Sequence, residues 1–336
     1  MAKIKRLFND PYDIVEEMVE GYVGAHKQYV KMCDLDEAQG RVVLANDAGT
    51  KDKVGVIIGG GSGHEPLFIG YVGEDFADAV VIGNINTSPS PDPCYAAAKA
   101  CDNGKGCIYL YGNYAGDVMN FDMGAEKADE EDDIRVETVL VTDDVVSSAN
   151  IPDRRGIAGD FFVFKVAGAK AATGADLDEV VAAAQKANDN TRSMGVAMSS
   201  ATLPAKGGTI FDMEDGDMEI GIHGEPGIRR GKIDTADNVI DEIMEPILKD
   251  LPYVEGDEVY VLVNSLGATP LIDLHVCYRR VAQILEEKGI KVYKALVGPF
   301  ACSMDMAGMS VTLMKLDDEL KELMDAPCDT PYFTQK

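Results

Sequence analysis

Four histidines occur in 336 residues, and two of them sit in near-twin loops, Gly60-Gly61-Ser62-Gly63-His64-Glu65-Pro66 and Ile222-His223-Gly224-Glu225-Pro226-Gly227. Each loop follows an apolar, strand-like run, residues 54–58 and 218–222. Loops at strand ends are where open α/β sheets hold their ligands. Main-chain N–H groups and a neutral imidazole suit the hydroxyls and carbonyl oxygen of a small polyol or ketose, the backbone donating and the ring donating or accepting. Glycine matters here because a side chain would keep the ligand off the backbone. A third polar group follows another strand-like run: Asn113-Tyr114-Ala115-Gly116-Asp117 sets Asp117 at a helix start, where an aspartate can also serve as an N-cap worth about 1 kcal/mol.

A glycine loop after a strand can also cradle nucleotide phosphates. Residues 59–65 contain no Lys followed by Ser or Thr, and His64 stands where a dinucleotide fingerprint needs its third glycine. The loop is therefore expected to bind something other than a nucleotide. His26, on the first amphipathic helix, and His275, in an apolar helix over 271–284, are expected to play packing or surface roles.

The elements that must carry these loops follow from periodicity. Asp10-Pro11 opens a helix whose apolar stripe is Val15, Met18, Val19, Tyr22 and Val23. Short β-like runs at 54–58, 79–82, 106–111 and 136–141 alternate with helical segments at 95–100 and 118–128, a pattern that predicts a parallel or mostly parallel sheet. Residues 157–186 are alanine-rich and helical, and the polar stretch 187–192 reads as a break. Beyond it, strands are expected at 193–199, 219–222, 259–264, 291–297 and 310–315, with helices at 235–249, 272–288 and 317–324. The expectation is two α/β domains, each with a mostly parallel or mixed sheet flanked by helices: residues 1–192 with the loops of His64 and Asp117, and residues 193–336 with the loop of His223.

Composition narrows the function classes. A chain this long exceeds one compact core, so two domains are the prior. With 46% hydrophobic and 26% charged residues it is globular, and a net charge of -27 argues against nucleic acid or an anionic membrane as partner. No apolar run reaches the roughly 18 residues of a membrane span. The basic start Lys3-Ile4-Lys5-Arg6 has no apolar core after it, so the expected location is the cytoplasm. Seven cysteines without a Cys-x-x-Cys pair argue against disulfides and structural zinc, and the acidic run 126–133 reads as a solvated face rather than a metal site.

Taken together the motifs carry a resemblance. They are Gly59-Gly60-Gly61-Ser62-Gly63-His64-Glu65-Pro66, Thr87-Ser88-Pro89 with Asp92, Asn113 through Phe121, Arg154-Arg155-Gly156-Ile157-Ala158-Gly159, Ser193-Met194-Gly195-Val196, Gly221 through Gly227, and Asp305-Met306-Ala307-Gly308. Spread over the whole chain, they make it similar to the substrate-binding subunit of dihydroxyacetone kinase, the K domain. The resemblance implies that His223 joins the substrate carbonyl through a ring nitrogen as a hemiaminal. A neutral imidazole adds to a ketone and finds nothing to add to in glycerol, so selection and orientation come from one bond. It implies that Asp117 is the base for the attacking hydroxyl and that His64 hydrogen-bonds the substrate and assists proton transfer. Gly61, Ser62 and Gly63, with Ser88 nearby, would hold the remaining oxygens.

Two positions depart from the family's pattern. Gly112 stands where a lysine is common and Asn86 where an aromatic residue is common, which should widen the pocket and make it more polar. A four-carbon ketose such as erythrulose then competes with dihydroxyacetone. The chain is expected to lack the family's nucleotide-binding L domain and to bind no cofactor itself. A separate L-type subunit would supply ATP-Mg, or a tightly held ADP rephosphorylated by a phosphotransferase-system M-type protein, and the family implies a homodimer. The competing reading is a ketose sensor that signals without catalysis; retention of Asp117 favours the enzyme.

Overall fold

A computed structural model describes residues 6–221 and 229–336 of the chain. The chain forms two compact units, and it does not divide between them at a single point. One contains Leu7–Val141, Asp160–Asn188 and Leu320–Lys336; the other contains Arg6, Thr142–Gly159 and the described part of Asp189–Glu319. The sequence expectation of one boundary at 192/193 thus meets the structure only at the crossing after Asn188. The segment 142–159 and the C-terminal tail each belong with the unit that a linear division would deny them.

The first unit runs through α1 (Ile14–Ala25), β1 (Val30–Met32), β2 (Val42–Ala45), β3 (Gly55–Ser62), β4 (Ala79–Ile85), α2 (Pro91–Cys101), β5 (Cys107–Gly112), α3 (Ala115–Asp132), β6 (Val136–Val141), α4 (Asp160–Ala172) and α5 (Leu177–Asp189). Its sheet has the order β1-β2-β4-β3-β5-β6. The four strands from β4 to β6 are parallel, as the alternation predicted, while β1 and β2 add an antiparallel edge. β5 is buried at all six residues, the continuous apolar run typical of a parallel strand covered on both faces. α4 is buried almost all round, with Phe161, Phe162 and Phe164 fully covered, so its sequence shows no amphipathic stripe. α1 begins at Ile14 rather than at Asp10, because the Asp10 carboxylate accepts the Tyr12 N–H and closes a turn before the helix starts.

The second unit contains β7 (Thr191–Ala197), two short strands β8 (Thr202–Leu203) and β9 (Gly208–Thr209), then β10 (Asp217–Ile220), β11 (Arg229–Lys232), α6 (Ala236–Asp250), β12 (Glu258–Ser265), α7 (Leu271–Glu287), β13 (Lys291–Gly298) and β14 (Gly308–Leu316). Its sheet order is β11-β10-β7-β14-β12-β13. It is mixed, for β12 and β13 run parallel and every other pairing is antiparallel. Val196, Ile220, Ile243, Val261, Leu274 and Val311 belong to one buried core. The stretch 187–192 is no linker, since α5 runs to Asp189 and β7 begins at Thr191.

A last helix, α8 (Asp318–Asp325), leads into a tail whose residues Cys328–Asp329 pair with Thr334–Gln335. All seven cysteines are unpaired thiols, and only Cys277 is not buried. Among the described residues no helix is long and apolar enough to cross a membrane.

Candidate functional site

In the first unit β4, β3 and β5 lie side by side and parallel, so the loops leaving their C-terminal ends emerge together. The loops after β4 and β3 carry Ser88 and His64, and the loop after β5 leads into the first turn of α3, where Asp117 sits. The sheet topology thereby sets three of the expected residues beyond the C-terminal ends of neighbouring strands, where ligands of α/β sheets bind.

The glycines ending β3 serve backbone packing. A Cβ on Gly59 would stand 2.6 Å from the Val81 carbonyl oxygen, and one on Gly61 would stand 2.8 Å from the Thr87 nitrogen. Gly60, at φ +156°, would place a Cβ 2.6 Å from the Phe68 ring. Any side chain at these positions would push the strand away from its neighbours, a use of glycine that the sequence reading did not weigh. The Ser62 hydroxyl is buried and donates to the Gly83 carbonyl at 2.7 Å. The Gly63 amide, at φ +102°, donates to both Glu65 carboxylate oxygens at 3.1 Å, so the acidic residue of the motif folds back to cap its own turn. His64 follows, half-buried.

Beyond β4, the Ser62 carbonyl accepts the Asn86 N–H at 3.0 Å, tying this loop to the first. Asn86 is exposed and left-handed at φ +52°. Ser88 is half-buried, and its Oγ accepts a hydrogen bond from the Asn120 side-chain amide at 3.2 Å; the same amide donates to the Pro89 carbonyl at 2.8 Å. Asn120 is the contact that sequence reasoning missed. It stood inside a matched motif, but nothing in the order of residues shows that it reaches across to Ser88.

After β5, which ends on the buried Gly112, Tyr114 is the N-cap of α3 in extended conformation and contributes no side-chain cap. Asp117 sits in the third helical position, so the alternative role of N-cap does not apply. Phe121, one turn on, is fully buried and stacks on Tyr111 at 4.3 Å between centroids, which fixes the helix against the sheet. Oδ1 of Asp117 is buried and has no hydrogen-bond partner among the described residues. Burial pushes the carboxyl up to about 6, with the Ser88 hydroxyl and the residue's own amide pulling it partly back. A carboxylate with raised proton affinity and an open oxygen can act as a general base near neutral pH.

His223 and the rest of its loop, 222–227, lie outside the described residues. The strand leading to it, β10, closes with the Gly221 N–H donating to the Gly195 carbonyl at 2.7 Å. His26 packs between tyrosines, 4.6 Å from Tyr22 and 6.0 Å from Tyr332 by ring centroids, while His275 is exposed on α7. Among the described residues no group of three or more His, Cys, Asp or Glu could hold a metal ion.

The Dak1 domain family matches residues 20–332. The dihydroxyacetone-binding subunit DhaK of PTS-dependent dihydroxyacetone kinase 2 from Listeria innocua is 60% identical, over 98% of this chain and 99% of that protein. An L-erythrulose 1-kinase from Mycolicibacterium smegmatis is 42% identical over 97% of this chain, which spans 57% of that longer protein. Among solved structures, the dihydroxyacetone kinase from C. freundii in complex with AMP-PNP and Mg2+ gives a TM-score of 0.87 at 30% identity, covering 99% of this chain and 61% of that one. The dihydroxyacetone kinase operon co-activator Dha-DhaQ gives 0.87 at 28% identity, covering 95% and 98%.

Proposed function

The chain belongs to the Dak1 family of dihydroxyacetone kinase substrate-binding subunits, and from that premise we propose that it captures a short ketose on His223 and presents the ketose's terminal hydroxyl to a separate nucleotide-carrying subunit for phosphorylation. In this reading a ring nitrogen of His223 bonds to the ketone carbon, the carbonyl π bond opens, and the imidazole N–H proton passes to the new alkoxide to leave a neutral hemiaminal. His64 hydrogen-bonds the ketose and assists that proton movement. Asp117 takes the proton of the terminal hydroxyl as its oxygen attacks the donor's phosphorus and the donor's P–O bond breaks. The donor, ATP-Mg or a phosphorylated ADP, sits on an L-type subunit, in the second case renewed by a phosphotransferase-system M-type protein. The working form is a cytoplasmic homodimer.

The observation that carries this reading is Oδ1 of Asp117, buried without a donor and on a carboxyl pushed up to about 6. A solvated helix-start aspartate would have neither property. The 60% identity along the full length of a dihydroxyacetone-binding subunit supports the substrate class. Gly112 and Asn86, small or polar where the family commonly has a lysine and an aromatic residue, and the erythrulose kinase relative favour C4 ketoses as competing substrates. A sensing role, favoured by the likeness to the co-activator structure, gives the base nothing to do.

Intact mass after incubation with dihydroxyacetone or erythrulose tests the capture: the protein should gain the whole mass of the ketose, with no water lost, and His223→Ala should gain nothing. Asp117→Asn should keep the adduct and lose phosphoryl transfer in the presence of an L subunit and donor. An adduct that survives in His223→Ala would reject the reading, and full transfer by Asp117→Asn would remove the base from it.

A further inference from the structure

Asn120 lies one turn beyond Asp117 on α3, and its side-chain amide holds the loop after β4 by two hydrogen bonds, to Ser88 Oγ at 3.2 Å and to the Pro89 carbonyl at 2.8 Å. The loop is pressed against the helix start, for a Cβ on Gly116 would touch the Ser88 Cβ at 3.4 Å. From its other side the loop is braced by β4, where a Cβ on Gly83 would stand 1.9 Å from the Thr87 carbonyl oxygen. With the Asn120 amide occupying a lone pair of Ser88 Oγ, the hydroxyl hydrogen must turn elsewhere. One acceptor is the Pro89 carbonyl, 3.1 Å away and already engaged by Asn120. The other is the carboxylate of Asp117, on which the Ser88 hydroxyl acts.

We propose that Asn120 is a positioning residue for the base: it fixes the Ser88 hydroxyl beside Asp117 and so sets how tightly that carboxylate holds a proton. The proposal rests on the reading of Asp117 as base for its meaning in catalysis, but not for its geometry. Among the described residues, the other titratable groups that sense Asp117 are the Cys94 thiol on α2 and the Tyr111 phenol on β5. Burial raises the proton affinity of both, so they stay neutral through the working range. Among the described residues the influences on Asp117 are burial, which favours the proton, and then the Ser88 hydroxyl and the residue's own amide, which oppose it. Loss of Asn120 frees the hydroxyl and lets burial prevail.

The test is a pH profile of phosphoryl transfer together with a carbon-13 carboxyl titration of Asp117 in the ketose-free protein, its signal assigned by its absence in Asp117→Asn. In Asn120→Ala both midpoints should move to higher pH, by about half a unit or more, with the rate reduced several-fold near pH 6 and returning to that of the unaltered protein near pH 8.5. Ser88→Ala should move them the same way, and the double variant no further than Ser88→Ala alone, because both changes break one chain of contacts. Unmoved midpoints in Asn120→Ala, or shifts that add in the double variant, would overturn the proposal. Should the base reading fail, with Asp117→Asn fully active, the carboxyl titration still decides the role of Asn120.

Discussion

A carboxylate that must lose its proton in a site that favours keeping it is a cost to the fold, and Asp117 is such a residue. Its folded value of about 6 lies above the ordinary 3.8, so the folded protein binds more protons than the unfolded chain between those values. Stability therefore falls as pH rises from about 4 to above 6, and above that range the fold carries the full cost of the ionised group. Asp117→Asn removes the cost. The variant should be more stable than the unaltered protein by on the order of 3 kcal/mol at pH 8, with the gap closing near pH 4, as read by denaturant melts at the two pH values. Transfer should meanwhile fall by roughly 10²- to 10⁴-fold, and in the unaltered protein it should decline as pH drops through about 6. A variant less stable than its parent at pH 8 would mean that the carboxylate is satisfied in solution and is no poised base.

At the scale of elements, the site depends on loops that close on one another without side chains between them. Gly83→Ala would drive a Cβ into the Thr87 carbonyl oxygen and the Pro89 nitrogen, at 1.9 and 2.8 Å, and neither backbone atom can yield without moving the loop of Ser88. The expected loss is about 2–4 kcal/mol, together with a displaced acid limb in the transfer profile. Gly116→Ala is the control: its Cβ meets Ser88 only at 3.4 Å, and alanine favours the helix by up to about 1 kcal/mol, so stability should hold or rise. Thermal melts of the two variants separate crowding from a mere change of residue. The same elements show what the sequence could and could not say. The long apolar runs of β3, β5, β12 and β14 were legible because burial on both faces leaves a continuous signal. β1 and β2 are three and four residues long, too short for alternation, and β11 is an exposed polar edge strand, Arg229-Arg230-Gly231-Lys232, with nothing apolar to mark it. Strand direction in the second sheet was equally hidden, since an apolar run reports coverage and not the sense of the chain. In the site, the motifs single out His64 and Asp117 as candidates, whereas the pairing of Glu65 with the Gly63 amide and of Asn120 with Ser88 are contacts of the folded chain.

At the scale of the molecule, the two compact units are built from chain segments that are not contiguous. In the second unit the segment 142–159 is secured through Arg154, whose guanidinium donates to both Asp250 carboxylate oxygens at 2.8 and 2.6 Å while Arg192 binds the same carboxylate. The pair of arginines holds the Asp250 carboxyl below its usual value. In the first unit the tail from Leu320 onward plays the corresponding part. Lys165 on α4 is fully buried, and its Nζ donates to the carbonyls of Leu323 and Ala326 at 3.2 and 2.8 Å. Phe333 packs edge-on against Phe161 with centroids 5.1 Å apart, and the Tyr332 N–H donates to the Gly70 carbonyl at 3.2 Å. A chain stopped after residue 319 would lose the Lys165 hydrogen bonds and bare the Phe161 face that Phe333 covers, two losses of about 1–3 kcal/mol each that together approach the stability of a marginal domain. The truncated protein should therefore lose amide-exchange protection in β3 and β5, which carry His64 and Asp117, although those strands lie more than two hundred residues earlier in the chain. Lys165→Met in the full-length protein should cost less than the truncation, about 1–2 kcal/mol, because it removes the donor to the Leu323 carbonyl while Gln335 Nε2 still donates to that of Ala326 and the Phe333 packing stays. Full protection of β3 and β5 in the truncated chain would show that the first unit is complete without its tail.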